Sequence, residues 1–435
     1  MLKHLENNIS CTEEVALTET SFNNNIDNNG KKNKSILWSR AFIFLIAVSF
    51  ITATGFNMVY TVISKYSMDI QNSLAIAGVI SGIFSVAALV MRPFAGMMSD
   101  IFNKKYLCIA ANMVIGFSVV GYSFSSSIPV LFSFRVLHGI AFGVSSTVNI
   151  ALATRFIPKD RLGEGIGYYG IGQVVASIVG PNIGIYIADK YGFQTLFIVI
   201  ALLSFIGAAL LLCLKYPIEE KKAENVSIRS KLTIDSLIAK EGIVYAIIGG
   251  MFSFGNGLVS SFLILLGKER NISNIGIFFS VGAFVVFLLR LFVGRIVDEK
   301  GLTITVNISL IVSAVSMALI GVAPTLRLLI VASVLKSIGQ GGGQLSLQAE
   351  SIKRVSPSRV GVATSTFYIG ADIGQGLGPI IGGGISQYFN YTVMFVTCSV
   401  LLLVSMVVFN VYQRKTRYNV KRETLEFEGG QEGVN

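Results

Sequence analysis

Arg92-Pro93-Phe94-Ala95-Gly96-Met97-Met98-Ser99-Asp100, followed by Lys104 and Lys105, is the stretch that decides the fold. It joins two long apolar runs through a short polar turn. Its skeleton returns 198 positions later as Arg290-Leu291-Phe292-Val293-Gly294-Arg295-Ile296-Val297-Asp298. Both copies read Arg, three residues, Gly, three residues, Asp, so the chain is a duplicated object. At the same offset Gly180-Pro181 matches Gly378-Pro379, Gly172 matches Gly370, and Gly184 matches Gly382.

Of 435 residues, 52% are hydrophobic and 14% are charged, where a soluble protein carries about 25% charged. That apolar surplus needs lipid as its solvent. Counted in runs of about 20 apolar residues, the chain divides into twelve spans. The first six lie near 37–60, 73–95, 106–125, 128–152, 163–188 and 193–214, and the second six near 242–266, 272–293, 302–323, 326–349, 360–385 and 391–412. The short alternating segments of a β-barrel are missing. The expected fold is an all-α membrane protein with twelve transmembrane helices in two pseudo-symmetric six-helix bundles. Its plan is a disordered tail (1–35), a first half (36–214), a linker (215–241), a second half (242–412) and a C-terminal tail (413–435). The four cysteines are widely spaced and read as small hydrophobes.

The net charge of +11 raises the question of nucleic acid, and its distribution answers it. With a cytoplasmic N-terminus, 26 of the 35 basic residues fall on cytoplasmic segments and five outside. This is the positive-inside bias, with both termini cytoplasmic, and it removes nucleic acid as a partner. Six spans return the chain to its starting side. The halves are therefore parallel, and a substrate site belongs near the midplane between them.

Charges and amides inside spans carry the chemistry. Arg135 in span 4 either faces a cavity or bonds backbone carbonyls. His138, one turn away, is a candidate proton relay or a neutral hydrogen-bonded group. Asp372 lies near the middle of span 11, where it either loads a proton or pairs with Lys336 of span 10. Glu350 is a further proton candidate. Asn57 and Asn256, each beside a glycine, want partners and face the centre. Tyr168, Tyr169, Gln173, Gln340, Gln344 and Tyr368 are candidates to line the cavity with them. Arg92, Gly96, Asp100 and Lys104, with Arg290, Gly294 and Asp298 in the second half, read as a cytoplasmic latch, the bland alternative being a turn carrying topology charges. Asp100 suits the N-terminus of a neighbouring helix or an arginine. Gly180, Pro181 and Gly184, with Gly378, Pro379 and Gly382, form either a hinge and seal or a packing kink.

Over 37–412 these residues resemble the major facilitator superfamily. Gly96, Asp100 and Lys104-Lys105 match the family's cytoplasmic loop motif, with Ile101 and Asn103 replacing its usual Arg and Gly. Arg135-Val136-Leu137-His138-Gly139 is similar to the span 4 motif, with His138 in place of Gln. The Gly180-Pro181 segment resembles the span 5 signature of proton-coupled exporters. The resemblance implies a proton-coupled secondary transporter of the plasma membrane. Such a protein exports small organic or drug-like compounds by alternating access, as a monomer, without cofactor or metal and without enzymatic activity. Two rivals are metabolite uptake by the same fold and a receptor or scaffold that moves nothing. On this reading the Arg92 stretch is gate hardware, and the chemistry sits deeper, at Arg135 and Asp372.

Overall fold

The computed structural model describes residues 37–158, 161–214, 238–290, 292, 297, 299–356 and 359–432. Among these it is helical from end to end. Five helices, α1 Arg40–Ile70, α2 Leu74–Ile101, α3 Lys104–Ser123, α4 Ile128–Ala153 and α5 Leu162–Cys213, precede the linker. Six follow it: α6 Ile243–Glu269, α7 Gly276–Arg290, α8 Leu302–Val322, α9 Leu326–Lys353, α10 Val360–Tyr388 and α11 Tyr391–Glu432. Ser39, Ser73 and Asn103 open α1, α2 and α3 by accepting backbone N–H bonds from Phe42, Ile76 and Lys105, as N-caps do.

Helix α5 is two rods in one. Gly192 leaves the helical region at φ 83°, ψ 165°, a conformation that costs glycine little. The rod before it runs parallel to α1, since Gly172 meets Ile46, Gly180 meets Asn57, and Lys65 pairs with Asp189 at 2.5 Å. The rod after it runs back, with Phe197 against Tyr66, Ile200 against Gly55, and Gly207 against Thr52. The eleven helices thus include one doubled back on itself.

Among the described residues, eight helices are long and apolar enough to cross a membrane. Helix α7 is shorter at 15 residues. Helices α9 and α10 are long enough but more polar, because they carry Lys336, Gln340 and Gln344 and Asp372 and Gln375 toward the protein interior. Helix α6 is central, with 83% of its apolar stretch buried, whereas α11 turns Val400, Val404, Val407 and Val411 outward.

Two sequence expectations change. Arg92–Asp100 is not a turn but the last part of α2, which runs on past Pro93 to Ile101. Pro93 lacks one N–H, and the helix continues beyond it. Asn103 caps α3, a role the sequence reading passed over. The C-terminal helix continues through most of the expected tail. The 1–35 tail, most of the linker (215–237), Gly294 and Asp298 lie outside the described residues, as does the side chain of Asp100.

The pairings follow the repeat. Helix α5 packs on α1 and α10 on α6, while α5 meets α7 and α2 meets α10 between the two groups. Glycines make these approaches close. A Cβ on Gly370, Gly374 or Gly378 would strike the α6 backbone at Ala246, Gly250 or Phe254. One on Gly78 or Gly82 would strike α10 at Pro379 or Gly376. Small residues let helix backbones approach in this way.

Candidate functional site

Between the two helix groups lies a cavity of about 450 Å³. Helix α9 supplies much of its polarity. Residues four apart share a helix face, so Lys336, Gln340, Gln344 and Gln348 form one stripe along the wall. Lys336 Nζ donates to Asn256 Oδ1 (2.8 Å) and Gln340 Oε1 (2.7 Å). Gln340 Nε2 donates to Gln344 Oε1 (3.3 Å), Gln344 Nε2 to Ser253 Oγ (2.9 Å), and Gln348 Nε2 to the Tyr368 hydroxyl (3.3 Å). The opposite wall comes from α1 and α5, with Asn57, Gln173 and Pro181. A second cavity, of about 370 Å³, adjoins within the first group. Asn57, Gln173 and Tyr368 line both, and Arg92, His138 and Tyr169 line the second.

Asp372 has a local counter-ion, which the sequence did not reveal. Arg92 of α2 reaches across to α10 and grips the carboxylate with Nε on Oδ2 and Nη2 on Oδ1. This two-point fork is the strong geometry for an arginine and a carboxylate. Both side chains are mostly buried, at 18% and 16% exposed. The Arg92 guanidinium also lies 5.8 Å from the centre of the Tyr368 ring. Of the two readings left open for Asp372, the pair with Lys336 is not formed: Arg92 occupies the carboxylate, and neutral amides hold the lysine. The opening stretch is not remote from the deep chemistry, because its first residue is half of it.

Arg135 is 1% exposed and absent from both cavity walls. Its Nε donates to the Ile80 carbonyl (2.9 Å) and its Nη2 to the Ser81 carbonyl (3.1 Å), with Phe84 beneath the guanidinium at 4.6 Å. Of the two readings left open for it, this is the carbonyl-bonding one. It ties α4 to α2. His138 meets the Tyr122 hydroxyl through Nδ1 at 2.8 Å. Glu350 is taken by Arg354 one turn on, at 2.7 Å, and lines neither cavity. Tyr168 is likewise corrected, since its ring packs on Trp38 at 4.7 Å, away from both cavities.

Asn57, Asn256, Gln340 and Tyr368 line the larger cavity, as does Arg290, which the sequence had grouped with the latch. Tyr60 on the α1 wall and Gln348 on the α9 wall went unnoticed. The four-residue spacing from Lys336 was the signal for Gln348; nothing marked Tyr60. Pro181 borders the cavity, and Gly184 lies on Met58. Pro379 lies against Gly257, and Gly382 against Leu258. Each Gly-Pro pair thus sits at a close helix contact. In the motif proper, Lys105 Nζ holds the Leu212 and Leu214 carbonyls at the end of α5 (2.9 and 2.7 Å), and Lys104 is buried. Gly96 has open space around it.

Similarity to known proteins agrees with this architecture. The chain is 23% identical to the multi-drug resistance efflux pump PmrA homolog of Lactococcus lactis, over 91% of this chain and all of that one. It is 23% identical to the multidrug resistance protein MdtG of Escherichia coli, over 87% of this chain and 96% of that one. Among solved structures, the nucleoside transporter NupG (D323A mutant) superposes with a TM-score of 0.74 at 15% identity, covering 86% of this chain and 99% of NupG. The family model described as Major Facilitator Superfamily matches residues 45–306 and 245–431. With two helix groups, a polar cavity between them and a family match over nearly the whole helical chain, the protein is a member of the major facilitator superfamily and a multi-pass membrane transporter.

Proposed function

We propose that the protein is a proton-coupled exporter of small organic compounds, working as a monomer in the plasma membrane with both termini cytoplasmic. The observation that carries this reading is the Arg92–Asp372 pair. It joins the two halves of the repeat beside the cavity, and it rests on a carboxylate inside a span. A proton on Asp372 removes the negative charge that Arg92 grips, so the α2–α10 contact weakens. Release of that proton restores it. One titration is thereby coupled to the packing of one half on the other, which is what a two-state carrier requires. In this scheme the remainder of α2 and the 290–298 echo act as gate hardware, and the glycine contacts seal the closed end. The efflux-pump names of the relatives support the outward direction.

The test is substrate-induced pH change in proteoliposomes, comparing wild type with Asp372→Asn. The expected result is a proton flux that the variant abolishes while substrate binding survives. An unaltered proton signal removes Asp372 from the coupling. Accumulation in everted vesicles establishes direction, and accumulation confined to right-side-out vesicles means uptake.

A further inference from the structure

The charge of the larger cavity is unbalanced. Two cations line it, Lys336 from α9 and Arg290 from the end of α7, and among the described residues no carboxylate does. Neutral oxygens alone hold Lys336, from Asn256 and Gln340. Arg290 makes no ion pair among the described residues, and its Nη1 lies over Gly170. Asp372 bonds Arg92 through both of its oxygens and lines neither cavity.

Lys336 is a cation drawn partly out of bulk water without a counter-charge, which is costly, and an entering anion removes that cost; Arg290, exposed at the end of α7, adds positive charge to the same cavity. The spacing suits an extended ligand. Gly282 lies against the hydroxyls of Ser333 and Ser337, so Lys336 stands level with the middle of α7. Arg290 follows about two turns further along the wall, roughly 10 Å. The amides of Gln340 and Gln344 and the ring of Tyr368 line the same cavity, suited to the uncharged body of the ligand.

We propose that this cavity takes small organic anions, carboxylates or sulfonates on an aromatic or polar frame, with Lys336 and Arg290 recognising the negative charge. The proposal rests on the transporter reading above and names the charge class of its cargo. It disfavours lipophilic cations, for which the wall offers like charge.

The test uses the full-length protein in phosphatidylcholine nanodiscs and two dyes that share a xanthene core, anionic carboxyfluorescein and cationic rhodamine 123. Fluorescence anisotropy should show saturable binding of carboxyfluorescein in preference to rhodamine 123. Lys336→Gln and Arg290→Gln should each weaken it about tenfold or more, the scale of a lost charge-assisted hydrogen bond. Lys336→Arg and Arg290→Lys, which keep the charge, should retain most of the affinity and show that the fold survives. Preference for rhodamine 123, absence of carboxyfluorescein binding, or binding that the neutral variants leave unchanged overturns the proposal. Proton flux in proteoliposomes separates the two readings. Flux driven by rhodamine 123 and not by carboxyfluorescein leaves export standing and rejects the anion. Anion binding without any flux rejects proton-coupled export alone.

Discussion

Gly170 and Tyr368 stand 198 positions apart, and each lies against the motif arginine of the opposite half. Arg290 Nη1 is 3.4 Å from where a Cβ on Gly170 would stand, and the Arg92 guanidinium is 5.8 Å from the Tyr368 ring centre. The backbone repeat is kept, while the side chains around it have diverged. Arg92 has a tyrosine face and the carboxylate of Asp372. Arg290 has a bare glycine, and Val174 occupies the position that matches Asp372.

Removing one partner of Arg92–Asp372 leaves a charge stranded among packed helices. Arg92→Ala or Asp372→Ala should each cost about 3–5 kcal/mol of stability, whereas joint replacement with Met and Leu should cost much less. Thermal unfolding of the purified variants in detergent measures both. A loss in the double variant equal to the sum of the two single losses would mean that the pair is not coupled.

Val174→Asp supplies the carboxylate that the second crossing lacks. It should pin α5 to α7 through Arg290, raise the melting temperature at neutral pH and slow turnover at saturating substrate. Combining it with Arg290→Gln should reverse both effects. Counterflow assays, with melting curves recorded at pH 5 and pH 8, test this.

Arg135→Met exchanges a buried guanidinium, bonded to two carbonyls, for a thioether of similar length. The Ile80 and Ser81 carbonyls then keep only their helical N–H donors, and each lost bond to the charged guanidinium costs about 1.5–3 kcal/mol. The expected outcome is a lower yield of monodisperse protein by size-exclusion chromatography, with the dissociation constant of the surviving fraction unchanged. A changed dissociation constant at normal yield would instead give Arg135 a direct part in the cavity.

Gly374→Val inserts a side chain where α10 rests on the Gly250 carbonyl of α6. Overpacking of this kind typically costs about 1–3 kcal/mol, and backbone contact puts this site at the upper end. Gly384→Val, where no atom lies within 4 Å, should be tolerated. Paired melting curves make the comparison.

Much of the architecture was legible because it depends on local and repeated signals. Apolar run length marks spans, and the 198-residue offset marks the duplication. The site was less legible, because its partners are set by helix crossings rather than by spacing. Arg92 and Asp372 are 280 residues apart, and neither lies in a pattern that names the other. Arg135 was read as both charged and buried, but its carbonyl partners belong to a neighbouring helix. The stripe from Lys336 to Gln348 was written in four-residue steps, and the dilution of apolar residues in α9 and α10 was its other trace.

The contact between α2 and α10 is a lever with an uneven grip. At one end Gly78 and Gly383 bring the backbones together, and Gln387 Oε1 accepts the Leu74 N–H at 2.7 Å. At the other end Arg92 and Asp372 hold the helices through side chains. From Gly78 to Arg92 the helix rises about 21 Å. If the glycine end is the fulcrum, a tilt of about 10° carries the arginine end roughly 4 Å, enough to part a two-point grip while the backbones at the fulcrum stay in touch. In the proposed cycle the glycine contact is then the bearing and the ion pair its catch, so a side chain forced in at Gly78, where a Cβ meets the Pro379 carbonyl, should spoil the bearing while Arg92→Gln only releases the catch.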